Sequence, residues 1–230
     1  MYGGSGFIVH GEYRLKECVL LFVKYPHEGK VKTRMVPFLT KKQASGLHRA
    51  MAGQTARMLE RSGIDFFVCF YPANSKSGFV RWLGSRLKYM PQRGRGLGAK
   101  MRNAFRDVFS AGYERVIIIG SDIPGITGKL LLSAFKILAK TGAVIGPAKD
   151  GGYYLIGFKK DKFRPEAFDG ILWGSASVLA DTVKVLGKKF KTIGFAPELR
   201  DLDTPQDLLE LRGRIKSVIG RYDLFATGSK

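Results

Sequence analysis

Residues 115–125 read RVIIIGSDIPG, and this stretch decides the fold. Val116 to Ile119 are consecutive aliphatic residues, so both faces of the strand they form are apolar and both need cover. That is the situation of a strand inside a mostly parallel sheet. Gly120, Ser121 and Asp122 follow, and Pro124 with Gly125 stop the strand. Open α/β sheets bind ligands outside the carboxyl ends of their strands, which puts the Asp122 carboxylate at the ligand edge. The competing reading makes Asp122 only a cap for the turn or for the helix that begins after Thr127.

Working outward, similar runs occur at 18–25, 65–71, 87–92, 143–148, 153–158 and 191–196, rich in Val, Ile, Phe and Tyr. Helical spacing lies between them. Leu97, Met101, Ala104, Phe105 and Val108 recur at three and four, as do Leu208, Leu211, Ile215 and Ile219. The last helix opens on Thr204, Pro205 and Asp207, which suit its cap, its first turn and its positive end. Alternation of strand and helix along the chain predicts an α/β layered sheet.

The 230 residues fit one domain better than two, with residues 1–16 read as a partly flexible leader and 221–230 as a flexible tail. No apolar run approaches the roughly 18 residues of a membrane span, and the leader lacks a signal-peptide pattern, so a cytoplasmic protein is expected. Cys18 and Cys69 fall in strand-like runs, where a thiol acts as a small buried hydrophobe. Lys and Arg number 39 against 19 acids, a net charge of +20. Such an excess attracts anionic ligands; a basic solvated surface is the favoured reading and a polyanion-binding face the other.

The strand ends give the candidate residues. After the first strand, Lys24, Lys30, Lys32 and Arg34 surround Gly29, a loop suited to gripping phosphates by charge-assisted bonds, although the GxxxxGK[ST] spacing is absent. After the third, Gly94, Gly96 and Gly98 precede a helix, where a backbone could approach a nucleotide closely or merely connect. In VIGPAKDGGYYLIGF (144–158), Asp150 sits in a Gly-Gly turn between two strands, either as ordinary hairpin chemistry or facing a ligand. Asp201 and Asp203 flank Leu202 and are read as diverging, so that only one joins Asp122 while the other faces solvent or a basic partner. Two acids brought together repel unless a divalent cation sits between them.

As a set, LLFVKYPHEGKVKTRM, PQRGRGLGAKM, VIIIGSDIPG, GPAKDGGYYLIG, LWGS and DLDTPQDL resemble the radical-SAM/selenodomain-associated transferases of the nucleotide-diphospho-sugar transferase (GT-A) superfamily. The resemblance runs from about Glu17 to Leu211. It implies a single Rossmann-like GT-A domain over residues 1–230, a mostly parallel mixed sheet sandwiched by helices, that uses a nucleoside triphosphate or nucleotide-sugar and a small acceptor. By the same resemblance, Lys24, Lys32 and Arg34 hold phosphates, and Gln92, Gly94 and Gly98 contact base and ribose. Asp122 and Asp203 hold Mg²⁺ or Mn²⁺, and Gly151, Gly152, Tyr153 and Trp173 face the acceptor. Asp122, Asp150 and Lys32 are the expected catalytic residues. The chain departs from the pattern at Gly96 and Ala99, where relatives carry acids, at Lys100, where they carry Arg, and at WGS, where Trp-Ser-Thr is usual. These departures and the high charge motivate the rival reading, a nucleic-acid-binding protein on a catalytically degenerate scaffold of the same fold.

Overall fold

A computed structural model describes residues 16–36 and 38–211. The strands expected from the sequence form one seven-stranded sheet: β1 Glu17–Lys24, β2 Phe66–Tyr71, β3 Lys88–Pro91, β4 Arg115–Gly120, β5 Ala143–Pro147, β6 Tyr153–Lys159 and β7 Gly194–Phe195, in the order β3-β2-β1-β4-β6-β5-β7. β1 pairs in parallel with β2 and β4, β2 with β3, and β5 with β7, whereas β6 runs antiparallel to both β4 and β5. The last strand is shorter than its apolar run because its ladder covers only Val144 and Ile145. The chain beyond rejoins β5 through Ala196 N donating to Ile145 O and through the bridge of Ala148 with Leu199.

Helices cover both faces, and the period of two along each strand sorts the core between them. Val19, Leu21, Val23, Ile117 and Ile119 pack against α1 (Lys41–Ser62), α2 (Lys76–Leu83) and α4 (Gly128–Thr141). Cys18, Leu20, Val116 and Ile118 pack against α3 (Gly96–Ser110), α5 (Val178–Gly187) and the turn holding Ala167 and Phe168. Both cysteines are free and buried, and burial raises their thiols above the ordinary range. A third cluster joins α1 to Leu202 and to α6 (Pro205–Leu211).

Local chemistry fixes the helix starts. Thr40 and Gln43 exchange side-chain and backbone bonds in a capping box at α1, and Thr127 caps α4 by accepting from Leu130 N. The cap of α4 is therefore Thr127, and Asp122 is free for other partners. At α6, Thr204 Oγ1 accepts from Asp207 N, the cap expected from TPQD, and Asp207 Oδ2 in turn accepts from Thr204 N at 2.8 Å. Ile215, Ile219, the leader and the C-terminal tail lie outside the described residues.

Gly157 at the centre of β6 lies opposite Ile117 and Val144. A Cβ placed there would stand 2.7 Å from Ile117 Cγ1 and 3.0 Å from the backbone oxygen of Val116. Gly157→Ala should overpack this centre and lower stability by about 1–3 kcal/mol, read as a fall in the urea unfolding midpoint with an unchanged slope.

Candidate functional site

The order of strands reverses between β1 and β4, and the chain leaves the sheet at this point through Lys24 on one side and Asp122 on the other. A crevice opens there, as the topology of α/β sheets requires. It holds a cleft of about 530 Å³ whose walls include Lys24, His48, Gln92, Lys100, Asp122, Asp150, Tyr153, Trp173, Asp201 and Asp203. Beside it lies a smaller basin of about 220 Å³ lined by Lys24, Lys30, Lys32, Arg34, His48, Asp122 and Asp203. The two share Lys24, His48, Asp122 and Asp203.

At the junction the Lys32 ammonium donates to Leu202 O at 2.6 Å and to Asp203 Oδ1 at 2.8 Å, and stands 3.1 Å from Asp122 Oδ1. Its side chain is 1% exposed, those of the two acids 38% and 36%. The backbone of Lys32 is left-handed, with φ 49°, and it is the sole non-glycine residue with positive φ among the described residues. Burial alone would lower the Lys32 ammonium, but the charges of Asp122 and Asp203 outweigh it and the group is raised. Burial likewise works against the Asp122 carboxylate; the Lys32 charge and the His48 hydrogen bond prevail and hold it well below the usual carboxylate range.

His48 is a site residue that the motifs do not indicate. It sits on the buried face of α1 in register with Ala44, Met51 and Ala52, a helical spacing that reads as core. Its Nε2 lies 2.8 Å from Lys24 O and its Nδ1 3.1 Å from Asp122 Oδ1. It thereby ties the end of β1 to the carboxylate after β4.

Asp201 and Asp203 correct the expectation that they diverge. Both line the main cleft, because residues two apart on extended backbone share a face, and the intervening Leu202 turns into the core with its N–H on Asp122 O. Asp201 is half-buried, and desolvation together with repulsion from Asp150 pushes its carboxyl up to about 6.

Asp150 combines the two readings of its loop. Oδ1 accepts from Gly152 N at 2.8 Å, an Asx turn that shapes the hairpin, yet the residue also lines the cleft. Gly151 has φ 86° and faces Ala176 O so closely that a Cβ would stand 2.1 Å from it, so its smallness serves packing. Gly152, Tyr153 and Trp173 line the cleft, with the rings of the last two meeting edge to face at 6.3 Å. Gly94 and Gly98 do not line it. Gly94 packs on Ala99, and Gly98 on Phe168 O and the indole of Trp173. Gln92 lines the cleft while its Nε2 donates to Cys69 O at 2.7 Å. Leu97, expected in the core, is exposed and also borders the cleft, as does Lys100, whose ammonium lies 3.4 Å from the centre of the Tyr71 ring. Arg34 reaches the basic basin, and Lys24 donates to Lys30 O at 2.7 Å.

Among the described residues no group of three or more His, Cys, Asp or Glu side chains assembles as a metal cage. The donor set still fits a cation shared with a substrate. Asp122 and Asp203 each direct Oδ1 to Lys32 and leave Oδ2 without a hydrogen bond among the described residues, and Mg²⁺ sites commonly use one or two carboxylates plus phosphate oxygens. One ammonium between two carboxylates leaves a single net negative charge, too little to hold a divalent ion strongly without further anionic ligands.

The seven-stranded, mostly parallel mixed sheet flanked by helices is a fold shared with nucleotide-diphospho-sugar transferase-like proteins. The chain belongs to the family described as "Uncharacterized protein conserved in bacteria (DUF2064)", whose model matches residues 54–175. It is similar to the solved "putative nucleotide-diphospho-sugar transferase" of Desulfovibrio desulfuricans G20, with 38% identity, TM-score 0.83, and 92% of this chain and 93% of that one covered. Rv0371c of Mycobacterium tuberculosis H37Rv, solved in complex with manganese, shares the fold at 14% identity and TM-score 0.54, covering 86% of this chain and 97% of that one. So does CMP:2-keto-3-deoxy-manno-octonic acid synthetase complexed with CTP, at 11% identity and TM-score 0.51, covering 88% and 99%. No curated protein matches the sequence. No helix of the described residues is long and apolar enough to cross a membrane.

Asp122→Asn removes a carboxylate whose native value is depressed, so the stability it contributes is complete above its ordinary value of 3.8 and is lost as pH falls through the lower native one. The variant should unfold at lower urea than the parent at neutral pH, and the gap should close on acidification below 3.8.

Proposed function

We propose that this chain is a metal-dependent transferase that uses a nucleoside triphosphate or nucleotide-sugar and passes part of it to a small acceptor. The observation that carries the reading is the Lys32 ammonium held between Asp122 and Asp203, at the junction of the basic basin and the main cleft. Lys24, Lys30 and Arg34 supply cations for the phosphate chain on the basin side. Gln92, Leu97 and Tyr71 offer a half-apolar wall for base and ribose. A Mg²⁺ or Mn²⁺ ion on the second oxygens of Asp122 and Asp203 would supply neutralisation of charge on the phosphates. The similarity to the Desulfovibrio protein supports the transferase class, and the manganese and CTP of the two remote structures are consistent with it. The radical-SAM-associated branch named by the motif resemblance, a single domain over 1–230 and action in the cytoplasm belong to the same proposal, the last supported by two free buried thiols.

The acceptor enters between Asp150, Gly152, Tyr153 and Trp173. In nucleotidyl transfer its oxygen attacks the α-phosphorus and pyrophosphate leaves; in glycosyl transfer it attacks the sugar C1 and the nucleoside diphosphate leaves. In both, the acceptor hydroxyl loses a proton, and Asp150 is the carboxylate on that wall suited to take it, since Oδ1 is fixed by Gly152 N and Oδ2 has no hydrogen bond among the described residues. Product analysis by mass decides between the two transfers.

Thermal denaturation with a panel of nucleoside triphosphates and nucleotide-sugars tests donor binding. The matching donor with Mg²⁺ or Mn²⁺ should raise the melting temperature, adding about 2.7 kcal/mol at 100 times its dissociation constant. Mn²⁺ alone should leave it nearly unchanged because of the single residual charge. Arg34→Ala should weaken nucleotide but not nucleoside binding, by about 1.5–3 kcal/mol for the charged hydrogen bond it removes. Equal weakening of both would refute the phosphate assignment.

Asp150→Asn keeps an oxygen for the Gly152 N–H and should retain the parent's melting temperature and donor affinity. Turnover should fall by about 10²–10⁴-fold, the usual contribution of a general base. Unchanged turnover would leave Asp150 as a turn residue alone.

A further inference from the structure

The antiparallel direction of β6 carries its carboxyl end, Lys159, to the end of the sheet opposite the cleft, where Arg115 begins β4 as its register partner. Three cationic segments meet at this end. Lys136 and Lys140 lie one turn apart on α4 and are exposed. The end of β6 and the segment after it bring Lys159, Lys160 and Lys162, the stem of Lys162 lying against Gly142 at the end of α4. The segment 188–191 reads KKFK; Phe190 is anchored beside the same Gly142 and under the Arg164 guanidinium, while its three lysines stay exposed.

At this end lies a groove of about 640 Å³ lined by Glu114, Arg115, Ala139, Lys159, Lys160 and Asp161, so that Lys159 and Lys160 of the lysines named above stand in its wall. Glu114 and Asp161 are the acids of this lining, and none of the lysines named above forms an ion pair among the described residues. Arg115 pairs through Nη2 with Glu17 Oε1 at 3.1 Å, whereas its Nε is buried without a hydrogen-bond partner among the described residues. Ordinary ion pairing leaves this end strongly positive.

We infer that this end of the molecule is a second binding surface, separate from the cleft, that takes the phosphate backbone of a nucleic acid. The shape favours a linear polyanion over a lipid surface: Lys159 and Lys160 line a groove and the other lysines are exposed on the neighbouring segments, whereas a bilayer presents a plane and is held stably when apolar groups insert as well. The chemistry favours backbone over base recognition. Ammonium groups on flexible stems act as point charges for phosphate, and Phe190, half-buried against the core cluster with its ring beside Phe158, is no platform for bases. Binding of this kind is sequence-tolerant and driven by counterion release.

The test is fluorescence anisotropy of the full chain with labelled single-stranded RNA and duplex DNA of one length, across a series of salt concentrations. The parent should bind with an affinity that falls steeply with salt. Lys160→Gln, Lys162→Gln and Lys189→Gln combined should flatten the plot of log affinity against log salt by about 2 for single strands, about 0.7 for each phosphate no longer neutralised. An equal-charge control, Arg57→Gln, Lys76→Gln and Lys129→Gln, alters exposed residues elsewhere and should retain the parent's slope. Equal weakening in both variants would assign the effect to net charge and overturn the inference. So would absence of binding to either nucleic acid, or a preference for vesicles of anionic lipid that the first variant abolishes. A difference between the RNA and DNA arms identifies which polymer the groove prefers. The donor-induced melting shift should be the same in all three proteins, so failure here is distinguishable from failure of the transferase reading.

Discussion

The interaction on which the cleft depends is that of the buried Lys32 ammonium with its three partners. It joins three parts of the chain distant in sequence: the loop after β1, the carboxylate after β4, and the 201–204 segment that leads into α6. Two carboxylates at a strand-end crevice repel, and a crevice with partial exposure does not screen them fully. The lysine supplies the missing charge from within the chain. The Leu202 N–H on Asp122 O and the His48 ring between Asp122 and Lys24 O brace the same junction from either side. Geometry at the site is thus kept by buried contacts beside the basic basin, and a ligand that draws on Lys32 must replace what the ammonium gives to both acids.

The fold is legible in the sequence to the extent that it rests on local pattern. Runs such as Val116–Ile119 are apolar on both faces, which leaves few alternatives to a covered strand, and TPQD names its own helix start. The site is legible where a polar residue follows such a run, as Asp122 does. It is less legible where a role depends on packing. Lys32 stands among Lys24, Lys30 and Arg34 in the sequence, and nothing in that order tells which of the four turns inward. His48 hides in a helical repeat whose other members are core residues. For Asp201 the spacing itself is misleading only when the period is misapplied, since the alternation of extended backbone puts it beside Asp203 and not across from it. Gly94 and Gly98 read as room for a ligand, and the room is occupied by Ala99 and Trp173.

Charge is distributed unevenly over the molecule. The acids of the cleft, Asp122, Asp150, Asp201 and Asp203, gather at the carboxyl ends of the parallel strands, with the basic basin beside them. The other end of the sheet carries the exposed lysines of three segments, with Glu114 and Asp161 in the groove beside them. A donor nucleotide is therefore offered two cationic regions of different construction. In the basin, backbone turns and a buried ion pair fix where charge can be placed; at the far end, long side chains on exposed segments offer charge without fixed geometry. Selectivity for a small ligand belongs to the first and tolerance of a polymer to the second.

The left-handed backbone at position 32 has a further consequence. Every other described residue with positive φ is glycine, the residue that adopts this conformation without steric cost. A side chain there costs about 1–2 kcal/mol, so the backbone alone would favour glycine where the chain keeps lysine. Two demands meet at one position, and the electrostatic one prevails over the conformational one. The loop gives up some of its own stability so that a charge may stand at a particular point inside the protein. That exchange is characteristic of a position retained for what it holds in place and not for how comfortably it folds.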